Sequence, residues 1–448
     1  MSCNKLEAGF GRRCINPEVP VSLAGYFNKR YWTGVLDDIY VQALVLRQGD
    51  VLSAIVHFDL VSVPTAVAEA IAERCSRFSG LNLQNMLMCA THTHTAPEVR
   101  CGKPGSNEEY VNFVLDKTEE AVKEALANFE EVDVYGGEAF DDRFAFNRRF
   151  WMKDGSVVTN PGKLNPEIDR PEGPIDPSIP MLGLKVGGKL KYLIVNISNH
   201  SDTTAGTEVS ADWPGFTRRK MEQFLGDDTA CFTLISPAGN INHFDVKWNN
   251  SQYGPDEARR IGEGYAESIM TGIPSLRKVC FDKMQVKNIA VNSGPSQISD
   301  KDLEEAKTII EKYPELDARS SDISLTSEDL AKKAPIVLKY FAEMLLETAK
   351  DQEEREFNLV GIFLGQVAIV SLPCEPFVEV GLKIRENILY GKTVLIASHS
   401  GSGAKHLFGG YIPNAFNYGR GGYETTPRSN PFAPDSADKL IEAIAKLA

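Results

Sequence analysis

Met86 to Val99 reads MLMCATHTHTAPEV, with His92 and His94 two residues apart directly after an apolar run. In an extended segment such residues point to the same side, so both rings would face one space beyond a strand ending at Ala90. Imidazole nitrogens at about 2.0–2.1 Å suit zinc, with an open position for water in a catalytic site. Two hydrogen-bonded turn histidines are the plainer alternative. His200 ends a β-branched run in LIVNISNHSDTT, where a sheet can fix the backbone while the ring reaches a cleft. Glu375, in AIVSLPCEPFVEVGLKIRE, follows a buried strand and a proline and is expected to open an amphipathic helix. The helix dipole would keep its carboxylate ionised, as a metal ligand or base requires. The stretch GGYIPNAFNYGRGGYETTP sets three tyrosines between glycine pairs, so that backbone can approach a ligand closely and phenols can reach it.

Two further groupings carry weaker signals. VHFDLVS places His57 and Asp59 on one side of a strand, as partners of a second metal or of a ligating histidine, or as a buried structural pair. SHSGSGAKH (398–406) is glycine-rich but lacks the spacing of dinucleotide or P-loop fingerprints.

The elements that must hold these residues alternate. Strand-like runs cover 41–48, 52–60, 85–90, 190–198, 229–236 and 392–398, and helical spacing covers 65–78, 108–129 and 212–225. Asp212 is placed to cap the last of these, with Pro214 in its first turn. LVGIFLGQVAIVSLP (359–373) reads as two buried strands joined at Gly365-Gln366. Residues 150–180 form a Pro- and Gly-rich loop with a small hairpin, and 300–350 a charged, amphipathic helical insertion. The expected architecture is α/β, one large domain over 1–448 with mixed sheets flanked by helices.

Composition is that of an ordinary globular chain: 448 residues, 42% hydrophobic and 24% charged. A net charge of −13, with no basic run beyond a triplet, argues against a nucleic-acid partner. No apolar stretch reaches the roughly 18 residues of a membrane span, and the first residues resemble neither a signal peptide nor an anchor. Eight scattered cysteines without a CxxC pair read as reduced thiols. Cytoplasmic location is expected.

Taken in order, AGFGRRCINPE, THTHTAP, FNRR, SNHSDTT with SADWPG, SPAGNIN, LGQVAIVSLPCE and GGYIP…GGYE resemble the catalytic domain of the neutral/alkaline, non-lysosomal ceramidases over nearly the whole chain. The resemblance implies one zinc ion per chain, held by His92, His200, Glu375 and Tyr411. It implies that His94, Arg148 and Tyr423 assist by stabilising charge on the reacting carbonyl oxygen. Arg149 stands where the family has serine, which leaves the choice between Arg148 and Arg149 open.

Two departures shape the expected function. Asn242 occupies the position of the family's reactive serine and cannot be a nucleophile. Direct attack by water activated at the metal is then expected, with His243 a candidate general base and Asn240 and Asn242 candidates for orienting substrate. The chain also stops about two dozen residues after GGYE, where the family usually adds a β-sandwich domain. The expected activity is zinc-dependent hydrolysis of an N-acyl amide in a small or lipid-like substrate more polar than ceramide. Ester, lactone or phosphoester hydrolysis, or a silent ligand-binding homologue, are the competing readings.

Overall fold

A computed structural model describes residues 5–448 apart from 27, 101–106, 227, 318–328, 330–331, 402–409 and 428. Three sheets form its framework. The first runs Met86–Ala90, Val51–Phe58, Tyr40–Gln48, Glu7–Cys14, Glu130–Glu131. The second runs Ala230–Ile235, Lys189–Ile197, Ser178–Val186, Asp133–Phe140, Arg277–Lys278. The third runs Gln285–Ser293, Arg355–Leu364, Val367–Ser371, Thr393–Ala397.

Their inner faces meet in one core: Leu44, Ile55 and Leu87 pack with Leu182, Ile194 and Phe232, and with Ile362, Ile369 and Leu395. Side chains alternate across a strand, so Val41, Ala43 and Val45 face outward to a second cluster with Ile71, Val114 and Val122 of the helices Thr65–Ser76 and Glu108–Ala127. Helices Asp212–Leu225 and Pro255–Gly272 cover the second sheet, and Ser436–Leu447 covers the third. Strands covered on both faces lose the polar half of their pattern. This is why Met86–Ala90 and Val367–Ser371 are buried at every position.

Each sheet is mixed, and each carries a parallel pair: Val51–Phe58 with Met86–Ala90, Lys189–Ile197 with Ala230–Ile235, and Val367–Ser371 with Thr393–Ala397. Parallel neighbours need a crossover, which leaves their carboxyl ends aligned, and crevices outside such ends are where open α/β sheets place ligands. The expected hairpin is present, with Leu364 paired to Val367 and Gly365 at φ 63° in the turn. Residues 150–180 build a small sheet from Arg149–Met152, Val157–Thr159 and Ile168–Pro171. In chain order, helices Asp300–Lys312 and Pro335–Thr348 fall between the first two strands of the third sheet.

Three local expectations are corrected. Asp212 is the first helical residue rather than the cap, and it has φ 53°. Its carboxylate accepts from the backbone N–H groups of Thr203, Thr204 and Trp213, so it ties the His200 loop to the helix start. Glu375 does not open a helix: it lies in the two-residue strand Glu375–Pro376, paired with Tyr411–Ile412, and the helix begins at Val378. His92 is not extended but left-handed, at φ 61°.

Candidate metal centre

His92, His94, His200, Glu375 and His399 converge just beyond the carboxyl ends of these strands. Nε2 of His92 lies 3.1 Å from Nε2 of His200, 3.1 Å from Nε2 of His94 and 3.6 Å from Oε2 of Glu375. Nδ1 of His92 is 2.7 Å from the carbonyl of Val61. A carbonyl only accepts, so the proton sits on Nδ1 and the Nε2 lone pair faces the cluster. Orienting partners of this kind accompany metal-ligating histidines.

Each member is held from its own element. The N–H of His200 donates to Asn199 Oδ1 at 2.9 Å, and its carbonyl accepts from the indole of Trp213 at 2.9 Å. The N–H of His94 donates to the Ser201 carbonyl at 3.1 Å, which joins the two histidine loops directly. Arg30 in turn donates to the His94 carbonyl. Gly25, at φ 95°, makes room for the His94 ring, because a Cβ there would lie 2.7 Å from His94 Cγ. The backbone N–H of Glu375 donates to the Gly410 carbonyl at 2.8 Å, next to the Tyr411 pairing.

Burial lowers the pKa of all four histidines in the cluster. His92 and His200 are held far below the ordinary imidazole value, first by burial and then by the neighbouring rings. His94 is lowered to about 3 by burial, with Arg30 and Arg148 adding to the effect. Neutral imidazoles are the form that binds metals. Glu375 moves the other way, to about 7, because burial outweighs Arg148 and Tyr411. The helix starts only at Val378, so Glu375 is outside its first turn and gains little from the dipole.

A divalent cation fits this donor set. Glu375 Oε2 is buried without a hydrogen-bond partner among the described residues, and imidazole and carboxylate are donor types that zinc accepts. His92, His94 and His200 form one group able to hold an ion, and His92, Glu375 and His399 another.

Close to Glu375, the Arg148 guanidinium lies 5.2 Å from the Tyr411 ring centre and 5.4 Å from that of Tyr423. The two phenol oxygens are 3.4 Å apart. Arg148 donates to Glu424 at 3.0 Å and to the Gly239 carbonyl at 2.7 Å. Burial works to lower its pKa, but Tyr423, Tyr411 and Glu424 outweigh it and keep the group charged. Arg149 shares Glu424 with Arg148 through the other carboxylate oxygen and also bonds Glu172 and the Gly421 carbonyl.

The remaining candidates are engaged in contacts of their own. Asn242 donates to Asn160 at 2.8 Å and accepts from the Phe244 N–H at 3.1 Å. Asn240 bonds Glu379 and the Val378 N–H, so both amides are engaged within the protein. His243 donates from Nε2 to the Gln252 carbonyl at 2.7 Å. Burial lowers its pKa, and the charge of Asp202 works against that. The same Asp202 places Oδ1 3.9 Å from His94 Nδ1. His57 bonds the Thr233 carbonyl at 2.9 Å and ties the first sheet to the second, while Asp59 accepts from Arg218 of the helix Asp212–Leu225 at 2.7 Å, so both are structural.

Sequence reasoning missed His399, weighing 398–406 only as a phosphate cradle. Its neighbours 402–409 lie outside the described residues. A lone histidine after the strand run 392–398 was the available signal, since His200 occupies the same kind of position. Glu424, which holds both arginines, was equally unmarked.

The arrangement of the three sheets and their helices is a neutral ceramidase-like α/β fold. Neutral ceramidase from Pseudomonas aeruginosa superposes with a TM-score of 0.73 at 16% identity, over 99% of this chain and 74% of that one. A ceramidase complexed with C2 superposes with a TM-score of 0.72 at 15% identity, over 99% and 75% of the two chains. No family model matches the sequence, and no curated protein does. No helix among the described residues is long and apolar enough to cross a membrane.

Proposed function

We propose that this protein is a zinc-dependent hydrolase of an N-acyl amide bond, with the ion held by His92, His200, Glu375 and Tyr411. The observation that carries the reading is the convergence of neutral imidazoles on a buried carboxylate with an unpartnered oxygen. When bound, the ion supplies a Lewis acid that polarises a carbonyl and lowers the pKa of water.

The chain's own groups account for the other requirements. Arg148, kept charged and pinned by Glu424, faces the side where negative charge develops on the carbonyl oxygen. His94 and Tyr423 add hydrogen-bond donors there, and preorganised donors of this kind are worth about 10²–10³ each in rate. His243 donates from Nε2 to Gln252, which leaves Nδ1, without a partner among the described residues, to take a proton. Asn242 positions its loop through Asn160 and Phe244. The buried hydroxyls of Ser201, Ser398 and Ser400, each next to a site histidine in sequence, also lack partners among the described residues. They favour a substrate with polar groups beside its amide.

Phosphoester hydrolysis usually calls for two metals. Both donor groups here share His92, whose Nδ1 is already committed to Val61, and this favours one ion. The test is metal content and turnover of short-chain N-acyl amino-alcohols and N-acyl sugars. Wild-type protein should hold about one zinc, and His92→Ala should lose it together with at least about 10³-fold in activity. Turnover unaffected by His92→Ala would sink the zinc mechanism.

A further inference from the structure

We propose that His399 is an additional metal ligand, giving this site a third imidazole donor beyond His92 and His200; the inference rests on the metal-centre reading above. The His399 ring lies nearly parallel to that of His92, with centres 3.8 Å apart and planes 19° from parallel. One of its nitrogens falls within 4.8 Å of a His92 ring nitrogen and of a Glu375 carboxylate oxygen.

The backbone is built to hold the ring there. Ser398 donates to the Ile235 carbonyl at 2.8 Å, His399 to Cys374 at 3.2 Å and Gly401 to Met88 at 2.7 Å. These partners lie at or near the ends of the strands that lead to SPAGNIN, Glu375 and His92. His399 is therefore clamped by all three sheets, and sites built on rigid elements hold ligands most precisely. His399 also takes a left-handed backbone, φ 53°, as His92 does at φ 61°. Such conformations disfavour non-glycine residues and concentrate at functional sites. A set richer in imidazole suits late first-row divalent ions such as zinc, cobalt and nickel.

Cobalt is the probe, because its visible spectrum reports coordination independently of turnover. Purified full-length protein, stripped of metal, is titrated with Co²⁺ in the wild type and in His399→Asn, His399→Ala and His399→Cys. The expected result is a changed d–d spectrum and at least about a tenfold weaker Co²⁺ affinity in the Asn and Ala variants. His399→Cys, shown to be folded, should gain a thiolate-to-cobalt charge-transfer band that the wild type, with its own eight cysteines, lacks. Circular dichroism of the metal-free forms identifies any variant that fails to fold. Unchanged spectra and affinities within about twofold in folded Asn or Ala variants, with no charge-transfer band in Cys, overturn the assignment. Wild-type protein that binds neither Co²⁺ nor Zn²⁺ overturns the metal-centre reading itself.

Discussion

At the scale of single residues, Glu375 couples protonation to both stability and metal binding. Burial raises its folded-state pKa to about 7, so the folded state holds this proton more tightly than the unfolded chain does. The metal-free protein should therefore be stabilised by Glu375 protonation at low pH and lose that contribution as pH rises from the ordinary carboxylate range through about 7. Metal binding runs in the opposite direction, because the ligand must be deprotonated. Zinc affinity is expected to fall by about tenfold per pH unit below the titration point. Glu375→Gln should flatten the stability profile and abolish tight zinc binding, as read by thermal melts of the metal-free protein and by chelator competition.

At the scale of elements, the short Phe146–Asn147 strand and the Arg149–Met152 strand send adjacent arginines to different work. Arg148→Ala should lower kcat by about 10²–10³ while metal content holds. Arg149→Ala removes the buried charge shared by Glu172 and Glu424, leaving Glu424 to Arg148 and Glu172 to Arg420, and should cost about 3 kcal/mol of stability. Denaturant melts and steady-state kinetics on the two variants separate the roles. Gly25→Ala combines a positive φ with a Cβ 2.7 Å from the His94 ring. It should reduce turnover by at least about tenfold, the order expected when a catalytic group is misplaced, with zinc retained.

At the scale of the whole molecule, Asn196 joins the second and third sheets. It donates to the Leu234 and Ile396 carbonyls at 2.9 Å each, and accepts from the Ile396 N–H at 2.7 Å and from Arg385 at 2.5 Å. A fully satisfied buried amide of this kind fixes how the sheets meet. Asn196→Leu takes the amide away from those backbone groups and from the Arg385 charge, and should destabilise the fold by about 3 kcal/mol. Because the strand ends are set by this junction, zinc affinity should fall as well, measurable by the same chelator competition.

Much of this molecule was legible in its sequence. Runs of β-branched and apolar residues marked the central strands, 3.6-residue spacing marked the major helices, and Gly365 marked a hairpin, because these features report local backbone preference and burial. His92, His94, His200 and Glu375 stood out by residue type and position, and the family resemblance supplied Arg148, Tyr411, Tyr423 and a shared zinc. The geometry of their assembly was not legible. The left-handed turn at His92, the strand pairing that buries Glu375, the different partners of Arg148 and Arg149, and the arrival of His399 all depend on contacts between segments far apart in the chain. Sequence determined which residues were able to do chemistry; packing of three sheets at their carboxyl ends decided which of them meet.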